Sequence, residues 1–213
     1  MALVQVAIDT LDFDAVIALA DQVAPHVDIL EIGTPCIKHN GIGLLKALRA
    51  RFPDNRILVD LKTMDAGEYE MTPFYAAGAD LCTVLGAADD GTIRGAIKAA
   101  THFGKQCQVD LINVPDKLAR ARDVAAMGAH VIGVHTGLDQ QAAGQTPFAD
   151  LAAIRALGVG VTISVAGGIK RDTVALALEA GAGIVVAGAA IYPPPAPGAA
   201  PRRLSLPARA PRK

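Results

Sequence analysis

Short runs of valine, isoleucine and leucine recur along this chain roughly every 20 to 30 residues, each followed by a stretch of helical length. The first three runs cover Leu3–Ile8, 28–32 and 56–61. The others are "LCTVLG", "QCQVDLI", "VIGVH", "VTISVAGG" and "GIVVAGAA". Amphipathic stretches lie between them: Phe13–Val23, "LLKALRARF", "DGTIRGAIKAATHFG" and "PDKLARARDVAAMG". An alternating pattern of this kind folds either as an open doubly wound sheet or as a closed barrel. Nearly every apolar run ends on a polar residue. Only a closed barrel brings all of those ends to one place, whereas an open sheet concentrates chemistry at one switch point. The spacing therefore predicts a (β/α)8 TIM barrel.

The joints between units follow one formula. "AAGAD", "AMGAH" and "EAGAG" each stop a helix on glycine and start a strand, and Gly78, Gly104, Gly128, Gly158 and Gly181 all stand in that role. The formula fails at the end. "PPPAPGAAPRRLSLPARAPRK" holds too much proline to propagate a helix and reads as an extended or disordered basic tail. The expected organisation is one catalytic barrel over residues 1–192. A Pro/Arg-rich tail over 193–213 replaces a regular last helix.

The chain has 213 residues, enough for one large core. Its apolar fraction is 52% with only 4% aromatic, so small aliphatic side chains must fill the interior. Twenty basic residues against 21 acidic ones give a net charge of -1. That balance, without interleaved aromatics, points away from nucleic-acid and membrane partners. Cys36, Cys82 and Cys107 are scattered and odd in number, which fits core thiols rather than a disulfide framework or a zinc site. The N-terminus shows no signal-peptide pattern, and no apolar run reaches membrane-spanning length. A cytoplasmic location is expected.

The chemistry should sit at the strand ends. "VDLKTMD" places Asp60, Lys62 and Asp65 together, and strand alternation points residues 60 and 62 to the same side, the barrel interior. A carboxylate and an ammonium in an apolar barrel persist only if paired or used. Asp9, Glu31 and His135 end the first, second and sixth runs. Gly167 and Gly168 follow the seventh, and Gly188 and Ala189 follow the eighth, where barrels often bind phosphate on backbone N–H groups. Asp110 ends the fifth run. It reads equally well as a substrate contact or as a helix-capping or structural residue, and is left outside the site. His39 is read into a loop, "CIKHNG".

Asp-x-Lys-x-x-Asp at the third strand end resembles the signature of the orotidine-monophosphate decarboxylase superfamily. "VAIDT", "LEIGTP", "GVHTGLD" and "SVAGGI" resemble the corresponding strand ends, as far as about Ile191. Within the superfamily, "DLKTMDAGEYE" and "HTGLDQQAAG" look most like the 3-hexulose-6-phosphate synthase family. That resemblance implies an aldolase joining formaldehyde to ribulose 5-phosphate. It implies Mg2+ held by Glu31 and Asp60, with His135 as the base at C1. Lys62 would stabilise an enediolate, with Asp9 and Asp65 orienting Lys62 and the substrate hydroxyls. The phosphate would lie on Gly167, Gly168, Gly188 and Ala189. It further implies a homodimer with Asp65 close to the neighbouring site. 3-Keto-L-gulonate-6-phosphate decarboxylase is similar in barrel and chemistry. It carries arginines in the loop after the histidine strand and in the last phosphate loop, where this chain has none. A non-catalytic phosphate-binding barrel is the alternative of another class.

Overall fold

The computed structural model describes residues 2–188. Ala189 and the tail expected over 193–213 lie outside the described residues. Eight parallel strands close into a barrel in sequence order. They are β1 (Leu3–Ile8), β2 (Ile29–Ile32), β3 (Arg56–Thr63), β4 (Leu81–Leu85), β5 (Gln106–Asp110), β6 (Val131–His135), β7 (Thr162–Ala166) and β8 (Ile184–Ala187). Pairing of Leu3 with Ile184 and of Val6 with Ala187 closes the ring. The helices outside it are α1 (Phe13–Val23), α2 (Thr34–Asn40), α3 (Ile42–Arg51), α4 (Gly67–Ala76), α5 (Asp90–His102), α6 (Lys117–Ala126), α7 (Leu138–Ala142), α8 (Phe148–Ala156) and α9 (Val174–Glu179).

Strand alternation divides the apolar residues between two cores. One set, including Val6, Ile8, Ile57, Val59, Cys82 and Val109, packs outward against the helices. The other fills the barrel floor with Ile29, Leu58, Leu81, Val131, Ile184 and Val186. Farther along the same inward faces the chemistry changes, and Gln5, Glu31, Asp60, Thr83, Gln108, Asp110 and Ser164 are buried. All three cysteines are buried free thiols, as expected. Helix starts are fixed locally: Asp12 accepts the Ala15 N–H of α1 at 2.8 Å, and Asp116 accepts the Ala119 N–H of α6 at 2.9 Å. No helix among the described residues is long and apolar enough to cross a membrane.

Two local expectations are corrected. The "CIKHNG" segment is helical rather than a loop, because Pro35 starts α2 and Gly41, at φ 63°, ends it before α3 begins. His39 therefore sits in the last turn of a helix. Strand β3 also runs two residues past its expected end, through a bulge. Val59 pairs with Cys82 and Thr63 with Val84, so four steps on β3 oppose two on β4.

Candidate active site

The bulge in β3 builds the centre of the site. Lys62 has φ 48°, the left-handed region that a non-glycine residue occupies at a cost of about 1 kcal/mol. Simple alternation gave the correct side for Asp60 and Lys62 but not the reason. The lysine is re-aimed by the bulge, and Thr83 on β4 pins it. Lys62 donates its backbone N–H to Thr83 Oγ1 at 3.0 Å, and that hydroxyl donates to Asp60 Oδ1 at 2.6 Å. Thr34, the first residue of α2, donates to Asp60 Oδ2 at 2.7 Å.

The Lys62 ammonium then bridges two strands. It donates to Asp60 Oδ2 at 2.8 Å and to Asp110 Oδ2 at 3.0 Å. His135 Nδ1 meets the same Asp110 oxygen at 2.9 Å. Asp110, set aside from the sequence, is thus the hub joining lysine and histidine. Its other oxygen has a structural part, since Oδ1 accepts the Ile112 N–H at 2.9 Å in a local turn, and α6 is capped by Asp116 rather than by Asp110. Thr34, Thr83 and Gln5 were missed as well. Their partners lie on other strands, and nothing in their own neighbourhoods announces them.

The electrostatics follow from this arrangement. Burial opposes the charge on Asp110, but the hydrogen bond and charge of His135, with Lys62 and the Ile112 N–H, bring its carboxyl down to about 2. Burial also opposes the charge on Lys62, but Asp110 and Asp60 more than offset it and hold its pKa above the ordinary lysine value. Glu31 lies deeper. Burial and the Asp60 carboxylate push it up to about 8, against the Gln5 hydrogen bond at 2.6 Å. Asp9 sits at the rim with its carboxylate against Gly33, where a Cβ would overlap Asp9 Oδ1. Partial burial and Asp60 raise its pKa.

A carboxyl raised by burial and by a carboxylate neighbour is one whose charged form a divalent cation would favour. Among the described residues no group of three or more histidine, cysteine or acidic side chains is placed to hold a metal. Two carboxylates are nonetheless a sufficient protein share for Mg2+, which keeps waters and substrate oxygens. Glu31 and Asp60 fit such an ion.

The loop expected to bind phosphate has an unusual backbone. Gly167 has φ 97°, and any Cβ there would overlap the Thr136 carbonyl oxygen. Gly168 has φ 69°, and a Cβ there would meet only Gln141 Oε1, at 4.0 Å. Gln141 of α7 donates to the Thr136 carbonyl at 2.8 Å within the segment after β6, and the Thr136 N–H donates to the Ala166 carbonyl of β7 at 3.1 Å. The helix expected behind the phosphate, α9, begins only at Val174 and has six residues. Gly188 follows β8, and a Cβ there would be in ordinary contact with Ala7, 3.8 Å from its carbonyl oxygen. Asp65 is exposed, and its carboxylate accepts the adjacent Ala66 N–H at 2.7 Å. The hydrogen bonds of the Lys62 ammonium go to Asp60 and Asp110 instead.

Comparison with known proteins agrees with the architecture. Residues 2–204 match the orotidine 5'-phosphate decarboxylase / HUMPS family, a span that runs beyond Ile191. The chain is 69% identical over 200 residues to 3-hexulose-6-phosphate synthase of Methylomonas aminofaciens, covering 94% of this chain and 96% of the relative. A crystal structure of 3-hexulose-6-phosphate synthase superposes with TM-score 0.84 at 47% identity, covering 89% of this chain and 91% of that one. A crystal structure of KGPDC from Streptococcus mutans superposes with TM-score 0.82 at 28% identity, covering 89% of each chain. The chain belongs to the orotidine 5'-phosphate decarboxylase / HUMPS family, within its 3-hexulose-6-phosphate synthase branch.

Proposed function

We propose that this chain is a 3-hexulose-6-phosphate synthase, condensing formaldehyde with D-ribulose 5-phosphate to give D-arabino-3-hexulose 6-phosphate. One observation carries the reading: Asp110 joins Lys62 and His135 at the barrel mouth, above the buried pair Glu31 and Asp60. With Nδ1–H donated to Asp110, the lone pair of His135 lies on Nε2, the correct state for a base. His135 takes the proton from C1 of the ketose. The resulting enediolate needs positive charge near its oxygens, and Lys62 supplies an ammonium that stays protonated at any physiological pH. C1 then forms the new bond to the formaldehyde carbon, and the proton on His135 passes to the oxygen that was the aldehyde's. Atoms and charge balance, and no Schiff base is required.

Glu31 and Asp60 would hold Mg2+, which supplies Lewis-acid polarisation of the ketose carbonyl. The glycines at 167, 168 and 188 accept the substrate phosphate, with Asp9 at the rim within reach of a substrate hydroxyl. The assembly proposed is a homodimer. Incubating ribulose 5-phosphate and formaldehyde with the protein, with Mg2+ or with EDTA, tests the whole reading. Hexulose phosphate should form only with the metal. Carbon dioxide release from a keto-gulonate phosphate, without hexulose formation, would replace the aldolase by the decarboxylase. Turnover of neither substrate would leave a binding protein.

A further inference from the structure

The face of the barrel opposite the active site has a repeating device with one part missing. The residue before each even-numbered strand donates its N–H to a carbonyl of the preceding strand: Asp28 to Val4 at 2.9 Å, Asp80 to Ile57 at 2.8 Å, His130 to Cys107 at 3.2 Å and Gly183 to Ile163 at 2.8 Å. In the first three units the side chain of that residue also accepts the N–H beside the carbonyl. Asp28 takes Val4 N–H at 2.9 Å, Asp80 takes Ile57 N–H at 2.9 Å, and His130 Nδ1 takes Cys107 N–H at 3.2 Å. At the fourth unit glycine has no side chain to offer Ile163.

The unit before β4 shows what the fourth unit lacks. There Arg49 of α3 lies across Gly78, donates to its carbonyl at 3.0 Å, and pairs with the Asp80 carboxylate. Four strands on, Arg155 of α8 lies across Gly181 in the same way, with its Cγ 2.9 Å from the Cβ position. Among the described residues its guanidinium has no hydrogen bond or ion pair. It borders a cleft of about 320 Å³ lined also by Thr162, Ile163, Gly181 and Gly183. The arginine, the strand N–H and the space are present, and the carboxylate is absent.

We propose that this cleft is a second anion site, taking a small carboxylate or phosphate group in the place that the Asp80 carboxylate fills in the unit before β4. The anion accepts from Arg155 and from the Ile163 N–H, in the fork geometry that suits guanidinium. The site is at the N-terminal end of β7, and the proposed substrate phosphate is at the other end of that strand. Its occupancy does not depend on the aldolase reading.

The test is a titration of the 15N-labelled full-length chain with sodium acetate and, separately, inorganic phosphate, with sodium chloride as the ionic-strength control. The Ile163 amide should move saturably with acetate or phosphate but not with chloride, and the tighter ligand identifies the head group. Arg155→Met, an exposed change, should weaken that response about tenfold or more. Gly183→Asp supplies the missing carboxylate, with Thr162 Cγ2 moving a few tenths of an ångström from its 3.0 Å approach to the Cβ position. That variant should show the shifted Ile163 amide without added anion. Signals at Gly167 and Gly168 report separately on the catalytic phosphate loop. An Ile163 amide that ignores both oxyanions, or an unchanged response in Arg155→Met, overturns the proposal.

Discussion

A single carboxylate joins the two ends of the proposed catalytic set. Asp110 is buried, yet its carboxyl is held at about 2 by His135 and Lys62. Asp110→Asn keeps the shape but removes the charge that fixes the His135 tautomer. We expect kcat to fall about 100-fold or more, with a smaller change in KM. Steady-state kinetics against ribulose 5-phosphate check this. The same residue makes a stability prediction. Its folded pKa lies below the ordinary value of 3.8, so its contribution is complete above that value and is lost as pH falls toward 2. The contribution at neutral pH is roughly 2 kcal/mol. Urea unfolding of wild type and Asp110→Asn should therefore differ by a constant amount from pH 7 to 5 and converge below pH 4. A constant gap down to pH 3 would contradict the assigned charge state.

At the scale of elements, the β3 bulge and the loop after β7 both place backbone where a regular strand would not. Thr83 restrains the bulge through the Lys62 N–H and the Asp60 carboxylate. Thr83→Val removes both bonds while conserving volume, and should cost about 1–3 kcal/mol in stability. It should also lower kcat by roughly tenfold, because Lys62 is then free to move. Thermal unfolding with parallel kinetics separates the two effects. In the proposed phosphate loop the adjacent glycines behave differently. Gly167→Ala collides with the Thr136 carbonyl and should damage the fold. Gly168→Ala has room for its Cβ at φ 69° and incurs only the left-handed strain. Gly168→Ala should raise the KM for ribulose 5-phosphate several-fold and leave that for formaldehyde unchanged. Equal changes in both would indicate general distortion.

On the scale of the whole molecule, the mouth of the barrel has exposed apolar side chains beside Asp65. Tyr69 is 86% exposed and Met64 54%. Such side chains flanking the last carboxylate of the Asp-x-Lys-x-x-Asp motif suit a surface covered by a second copy. Light scattering should give twice the 21.9 kDa chain mass. The double variant Met64→Ser, Tyr69→Ala should shift the protein toward monomer. A monomeric wild type at micromolar concentration would remove the dimer from the proposal.

The sequence by itself determined the barrel. The period of apolar runs, the glycine joints and the polar strand ends are local signals, because burying a strand on both faces and stopping a helix on glycine are local requirements. β1 and α1 were legible to the residue for that reason, as were Asp60, Lys62, Glu31 and His135 at their strand ends. α2 was not legible, since Thr-Pro-Cys before a glycine is equally compatible with a loop. The hub position of Asp110, the pinning by Thr83, the raised carboxyl of Glu31 and the exposed placing of Asp65 belong to tertiary structure alone. Each depends on which side chains the closure of the barrel brings to within hydrogen-bond distance across strands that are 20 to 50 residues apart in the chain. Burial then turns those distances into charge states, and no window of sequence contains either quantity.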